Sequence, residues 1–141
     1  MSTRSFLLGA IGVALLAVLV GAYFVGSPHE ARRRTFDNRR YVELEVLAGA
    51  LQCASDKTVV LPVELTVQSL RSYCGARNIQ PPMFTDDETG EPYAYVRKSD
   101  EQYSICAKFY DASRTAHLRY SNPNSRWSFD TAAGCLTGTI R

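Results

Sequence analysis

Four cysteines, a run of arginines, a knot of acids and two histidines are the residues of this chain whose types and spacing could do chemistry. The cysteines fall at Cys53, Cys74, Cys106 and Cys135. None forms a CxxC pair, and no HxxxH or CxxCH context surrounds them, so they do not read as a metal or haem site. An even count in a small domain fits two disulfides made in an oxidising compartment. Asp86, Asp87, Glu88 and Glu91 supply oxygens of the kind calcium takes, but Asp-Glu-Thr-Gly is equally an ordinary turn entering a strand. His29 and His117 have no Ser, Cys or Asp at useful spacing, which argues against a nucleophile–base pair. No glycine-rich phosphate loop is present. Nothing here implies a cofactor, a metal or a small-molecule substrate, and the expectation is a protein that is not an enzyme.

The arginines at Arg32, Arg33, Arg34, Arg39 and Arg40 are the most unusual charged feature. One reading is a solvated helix face. The other is contact with anionic lipid headgroups or an acidic protein partner. The whole chain of 141 residues carries a net charge of only +2, which gives no case for nucleic-acid binding. That average hides an uneven distribution. Phe6–Val25 contains no charged residue, and at about 1.5 Å rise per residue it matches a bilayer core of about 30 Å. A retained single-span anchor is the first reading, and a cleaved signal peptide ending near Val20-Gly21-Ala22 is the second. The arginines after the span would place the following domain in the cytoplasm by the positive-inside rule. The cysteines argue for the other side, and the expectation here is an inner-membrane protein with its C-terminal domain periplasmic or extracellular.

Four segments follow: a tail at 1–5, a transmembrane helix at 6–26, a basic stem and amphipathic helix at 27–53, and a small α+β region at 54–141. Ser27, Pro28 and Glu30 form helix-start chemistry. The helix they open runs to about Cys53, with an apolar stripe of Leu44, Leu47, Ala48 and Leu51. A shorter helix is expected from Pro62 to about Cys74. Cys53 closes the first helix and Cys74 the second, which makes a Cys53–Cys74 bridge between helices plausible. The period then changes to two. Tyr93–Lys98 and Tyr103–Phe109 alternate across Ser99-Asp100-Glu101, the pattern of an antiparallel hairpin. Arg126–Phe129 and Leu136–Ile140 are weaker strands, and Ser113–Ser125 reads as a long loop. Trp127 and the tyrosines of the hairpin read as packing residues rather than a ligand box.

The order of motifs resembles a group of small bacterial single-span proteins of unknown function, whose outer domain is similar to type IV pilins and type II secretion pseudopilins. The residues that carry the likeness are Asp37-Asn38-Arg39-Arg40-Tyr41-Val42-Glu43-Leu44, Leu61-Pro62-x-x-Leu65, Asp87–Tyr95, Tyr103–Ala107 and Gly134-Cys135. The resemblance implies a long N-terminal helix, half in the membrane and half packed on an antiparallel sheet of three or four strands. It implies a Cys106–Cys135 pair, one of three connectivities open to four cysteines when taken with Cys53–Cys74. The likeness has a limit. Ser5-Phe6-Leu7-Leu8-Gly9 lacks a pilin's Gly-Phe cleavage junction, and the span lacks its acid. A pilin-like domain on a retained anchor is therefore expected, acting as an accessory or assembly subunit of an envelope complex with membrane-protein partners. A surface-displayed adhesion or ligand-binding module is the alternative.

Overall fold

A computed structural model describes the backbone of residues 3–25, 27–52, 60–74, 84–118 and 126–140, with side chains given for all of these except 3–6, 22, 24–25, 71–74 and 116–118. The elements are α1 (Thr3–Val25), α2 (Pro28–Gln52), α3 (Val67–Cys74), β1 (Ala94–Arg97), β2 (Gln102–Cys106), a 3-10 helix (Ala112–Leu118), β3 (Trp127–Asp130) and β4 (Cys135–Thr139). The chain divides into two compact units, Met1–Arg33 and Arg34–Arg141, with the boundary inside α2.

In the first unit, α1 carries large apolar side chains that are exposed all round, from Leu8 (71%) and Val13 (70%) to Leu19 (69%). Among the described residues no helix is long and apolar enough to cross a membrane. The span expected over 6–26 is therefore not found among the described residues. The start of α2 follows its sequence. Ser27 Oγ accepts from the His29 N–H at 3.3 Å, and the Ser27 carbonyl accepts from the Glu30 and Ala31 N–H groups. Those bonds satisfy donors that every helix start leaves without intrahelical partners.

In the second unit, α2 lies on a four-stranded antiparallel sheet of order β1-β2-β4-β3. The predicted stripe is correct: Leu44, Leu47, Ala48 and Leu51 are all fully buried. Register puts Tyr95, Ile105, Leu136 and Phe129 in one row and Arg97, Tyr103, Gly138 and Trp127 in the next. Alternation sends these rows to one face of the sheet. That this is the face under α2 follows from two contacts. Tyr103 Oη donates to the Ala48 carbonyl at 3.4 Å, and the Phe129 ring meets Tyr41 edge-on at 5.0 Å. Gly138 makes room for this arrangement, because a Cβ there would lie 2.6 Å from Tyr103 Oη. Trp127 packs against the core, as do Tyr93, Tyr95 and Phe109, in line with the packing role expected of them.

The hairpin turns where expected. Lys98 N donates to the Gln102 carbonyl, and Ser99 Oγ accepts from Gln102 N at 3.0 Å. Two expectations need correction. The second helix begins at Val67 rather than Pro62, because Thr66 and Ser69 cap each other: Ser69 N donates to Thr66 Oγ1 and Thr66 N donates to Ser69 Oγ. Pro62 is instead held outside the helix, its carbonyl accepting from Tyr95 Oη at 2.9 Å. The stretch after Ser113 is not all loop, since a 3-10 helix covers Ala112–Leu118. Asp111 Oδ1 accepts from Ser113 N at its start, and the buried Thr115 returns its hydroxyl to the Ala112 carbonyl at 2.7 Å.

Candidate functional site

The buried face of α2 does not stop at Leu44. Continued toward the N-terminus at the same spacing, it passes through Tyr41 and Arg40 to Asp37, and all three are buried. A guanidinium cannot leave water without partners, and Arg40 has three. Its Nε donates to Asp86 Oδ2 at 2.5 Å, Nη1 to Asp37 Oδ1 at 3.1 Å, and Nη2 to Glu88 Oε2 at 2.7 Å. The Tyr110 ring lies 5.3 Å from its central carbon and the Phe36 ring 5.9 Å, both within cation–π range.

Two of the partners come from one loop and the third from α2 itself. Asp86 and Glu88 sit in the acidic loop before β1. That loop closes by a bridge between Thr85 and Pro92, with Gly90 at φ +72°, a backbone state that favours glycine. Asp37 reaches the opposite way, accepting from the backbone N–H of Tyr110 and of Asp111 at 2.9 Å each. Glu88 also accepts from Tyr110 Oη at 3.0 Å. Arg40 thus ties α2, the acidic loop and the segment after β2 into one clasp. Around it, Arg39 pairs with Asp87 and with Glu43 at 3.2 Å, and Tyr93 Oη donates to the other oxygen of Glu43.

Carboxylates outnumber guanidinium groups in this cluster, and backbone N–H groups supply the balance. Asp86 Oδ1 accepts from Glu88 N at 2.8 Å and Thr89 N at 3.3 Å. Burial alone would raise the Asp86 pKa. The hydrogen bond from Arg40 and those from the loop backbone outweigh it and hold the carboxyl below its usual range. Burial alone would lower the Arg40 pKa, and its bonds to Asp86 and Glu88 outweigh that, keeping it charged. Burial and then the neighbouring Glu43 carboxylate push the Tyr93 hydroxyl upward, so it stays a hydrogen-bond donor.

The same geometry bears on calcium. Each acid that might have held it already faces a cationic side chain: Asp86 and Glu88 face Arg40, Asp87 faces Arg39, and Glu91 faces Lys108 at 2.6 Å. Among the described residues no group of acids, histidines or cysteines is arranged to hold a metal. A cavity of about 230 Å³ opens beside this loop, lined by Asp86, Glu91, Tyr93, Cys106 and Lys108 among others. It is smaller than the usual 300–1,000 Å³ of a small-molecule pocket.

The five predicted arginines are therefore not one surface. Arg32, Arg33, Arg34 and Arg39 are exposed, while Arg40 is 4% exposed and inside the domain. Arg40 is thus corrected from an exposed contact residue to a buried one. The signal that could have found it was the helical stripe itself, extended one turn past Leu44.

Cys106 and Cys135 form a disulfide across directly paired positions of β2 and β4. They alternate with the buried Ile105 and Leu136, so the bond lies on the face of the sheet turned from α2. Cys53 lies outside the described residues, as does the side chain of Cys74 at the end of α3, and with them the expected Cys53–Cys74 bridge. His117 sits in the 3-10 helix, with its side chain outside the described residues. Comparison of the chain with protein-family models, with curated proteins and with solved structures finds no match.

Proposed function

We propose that this chain is a non-enzymatic, single-pass inner-membrane protein. Its pilin-like domain would lie in the periplasm or outside the cell and act as an accessory or assembly subunit of an envelope complex. The observation that carries the reading is α1. Its described apolar side chains are exposed on every side, and a helix apolar all round needs an apolar surrounding. The uncharged sequence Phe6–Val25 falls entirely within it. Two further features support the reading. A disulfide between neighbouring strands suits an oxidising compartment. A long helix with a buried stripe on a small antiparallel sheet is the architecture that the resemblance to pseudopilins implies. The side chains that bear chemistry in the clasp are engaged with one another, which favours a part that holds shape over one that turns over substrate.

The test has two arms. Alkaline carbonate should leave the chain in the membrane pellet, and protease added to spheroplasts should digest the domain. Mild cross-linking before solubilisation should then bring down membrane partners in stoichiometric amount. A chain that carbonate extracts, or one protected from protease in spheroplasts, contradicts the placement. A chain that purifies alone after cross-linking contradicts the role in a complex.

A further inference from the structure

The ladder between β1 and β2 ends at the pair Ala94 and Cys106, and a cavity opens just beyond it. Main-chain groups of an antiparallel pair alternate in direction along each strand. Lys98 N donates to the Gln102 carbonyl, so residues 102, 104 and 106 face β1. The residues between them face β4, where Ile140 N donates to the Glu101 carbonyl and Ala107 N to that of Gly134. Continued one step, this phase turns the N–H and carbonyl of Lys108 toward the β1 side. On that side Tyr93 N donates to the Phe84 carbonyl and Asp86 N to that of Glu91. Residues 91 and 93 therefore face the acidic loop, which leaves the Pro92 carbonyl facing β2. Proline has no N–H, so Pro92 and Lys108 cannot complete a ladder pair. Among the described residues the Lys108 N–H and the Pro92 carbonyl have no partner.

The cavity of about 230 Å³ is lined by both of these residues, with Ala94, Cys106, Ala107 and Ala133 as an apolar wall. Its volume admits one functional group rather than a whole small-molecule ligand. One N–H donor and one carbonyl acceptor complement a single amide, whose oxygen accepts from Lys108 N while its N–H donates to the Pro92 carbonyl. A carboxylate is disfavoured, because Asp86 and Glu91 also line the cavity. An ammonium group is disfavoured too, because Arg40 and the loop backbone already hold Asp86, and Lys108 holds Glu91. The Ala94–Cys106 pair closes one end, so the group that enters is a terminal one, and the apolar wall suits a methyl. We propose that this slot binds a terminal acetamido group, of the kind carried by N-acetylated sugars and by acetylated peptide ends. The site lies wholly within the second unit and does not depend on how the chain is held at a membrane.

Titration of the nitrogen-15-labelled full chain in micelles, read at the Lys108 amide resonance, tests this with N-acetylglucosamine and, separately, with N-acetylalaninamide. The resonance should move saturably, with a Kd of roughly 1–10 mM for so small a contact. Glucose, which lacks the acetamido group, and acetate, which replaces the amide with a charge, should leave it in place. A94L fills the slot and should weaken binding at least about ten-fold, with unchanged Trp127 fluorescence showing that the domain remains folded. A133L, from the turn between β3 and β4, should do the same. Movement by both ligands supports the acetamido group as the shared determinant, and movement by one alone supports it with the sugar or the peptide end as its source. A Lys108 amide that neither ligand moves means that water alone fills the slot, which overturns the proposal. An equal response to glucose or acetate overturns it as well, as does undiminished binding by a folded A94L or A133L variant.

Discussion

Two groups of arginines lie within nine residues of one helix and meet opposite fates. Arg40 is buried, charged and gripped by three carboxylates, while Arg32, Arg33 and Arg34 stand exposed at the beginning of α2. Residue type and local sequence charge do not separate them. Helical phase does. Arg40 falls on the line of Leu44, Leu47 and Leu51, so folding carries it inward, and the domain must furnish counter-charges from the acidic loop. The consecutive triplet has no single line to fall on. A count that treats all five as one basic stem therefore describes neither group.

The contrast can be broken most sharply at Arg40. Replacing it with Met leaves Asp37 and Asp86 buried without their cation, which should cost about 3–5 kcal/mol. Urea denaturation of the full chain in micelles, followed through the single Trp127, would measure it. The triple change at Arg32, Arg33 and Arg34 should leave the same denaturation curve in place. An R40M variant as stable as the natural chain would mean that the clasp does not hold the domain.

Next in size is the opposite face of the sheet. Cys106 and Cys135 enclose a sequence separation of 29, and C106S/C135S should lose about 3–4 kcal/mol in the chain-entropy account. The loss should be independent of pH, unlike that of the clasp. D86N follows at about 1.5–3 kcal/mol, as expected for a buried bond to a charged partner. Its pH dependence has a definite sign. The folded pKa of Asp86 is depressed, so its contribution is fully present above the unfolded value of about 3.9 and disappears as pH falls through the folded value. D86N should flatten that acid limb, and an unchanged limb would remove Asp86 as its source. The smallest effect belongs to R39Q. The Arg39 side chain is 57% exposed, and its ion pairs are screened by water. Its urea midpoint should not move measurably.

Much of the fold was legible because burial imposes a period. The stripe of α2 and the alternation of Tyr93–Lys98 against Tyr103–Phe109 each recorded a face that had to be covered. What escaped depended on side chains bonding to backbone. Thr66 and Ser69 cap each other without the Glu or Gln that marks a capping box, so the start of α3 was placed too early. Asp111 and Thr115 organise a 3-10 turn inside a stretch whose composition reads as loop. The clasp was missed for a different reason. Two of the three partners lie 46 and 48 residues away from Arg40 in the chain, and no local pattern joins them to it. Only the phase of the helix hinted that Arg40 turns inward.

The central claim is a membrane-held chain whose domain matures in an oxidising compartment. The most direct measurement quenches intact cells with acid, alkylates free thiols, extracts the membranes with alkaline carbonate and identifies cysteine peptides in the pellet by mass spectrometry. The account predicts Cys106 and Cys135 in the pellet, joined to each other and unmodified. Recovery of both as alkylated thiols, or their appearance in the extracted supernatant, would contradict it.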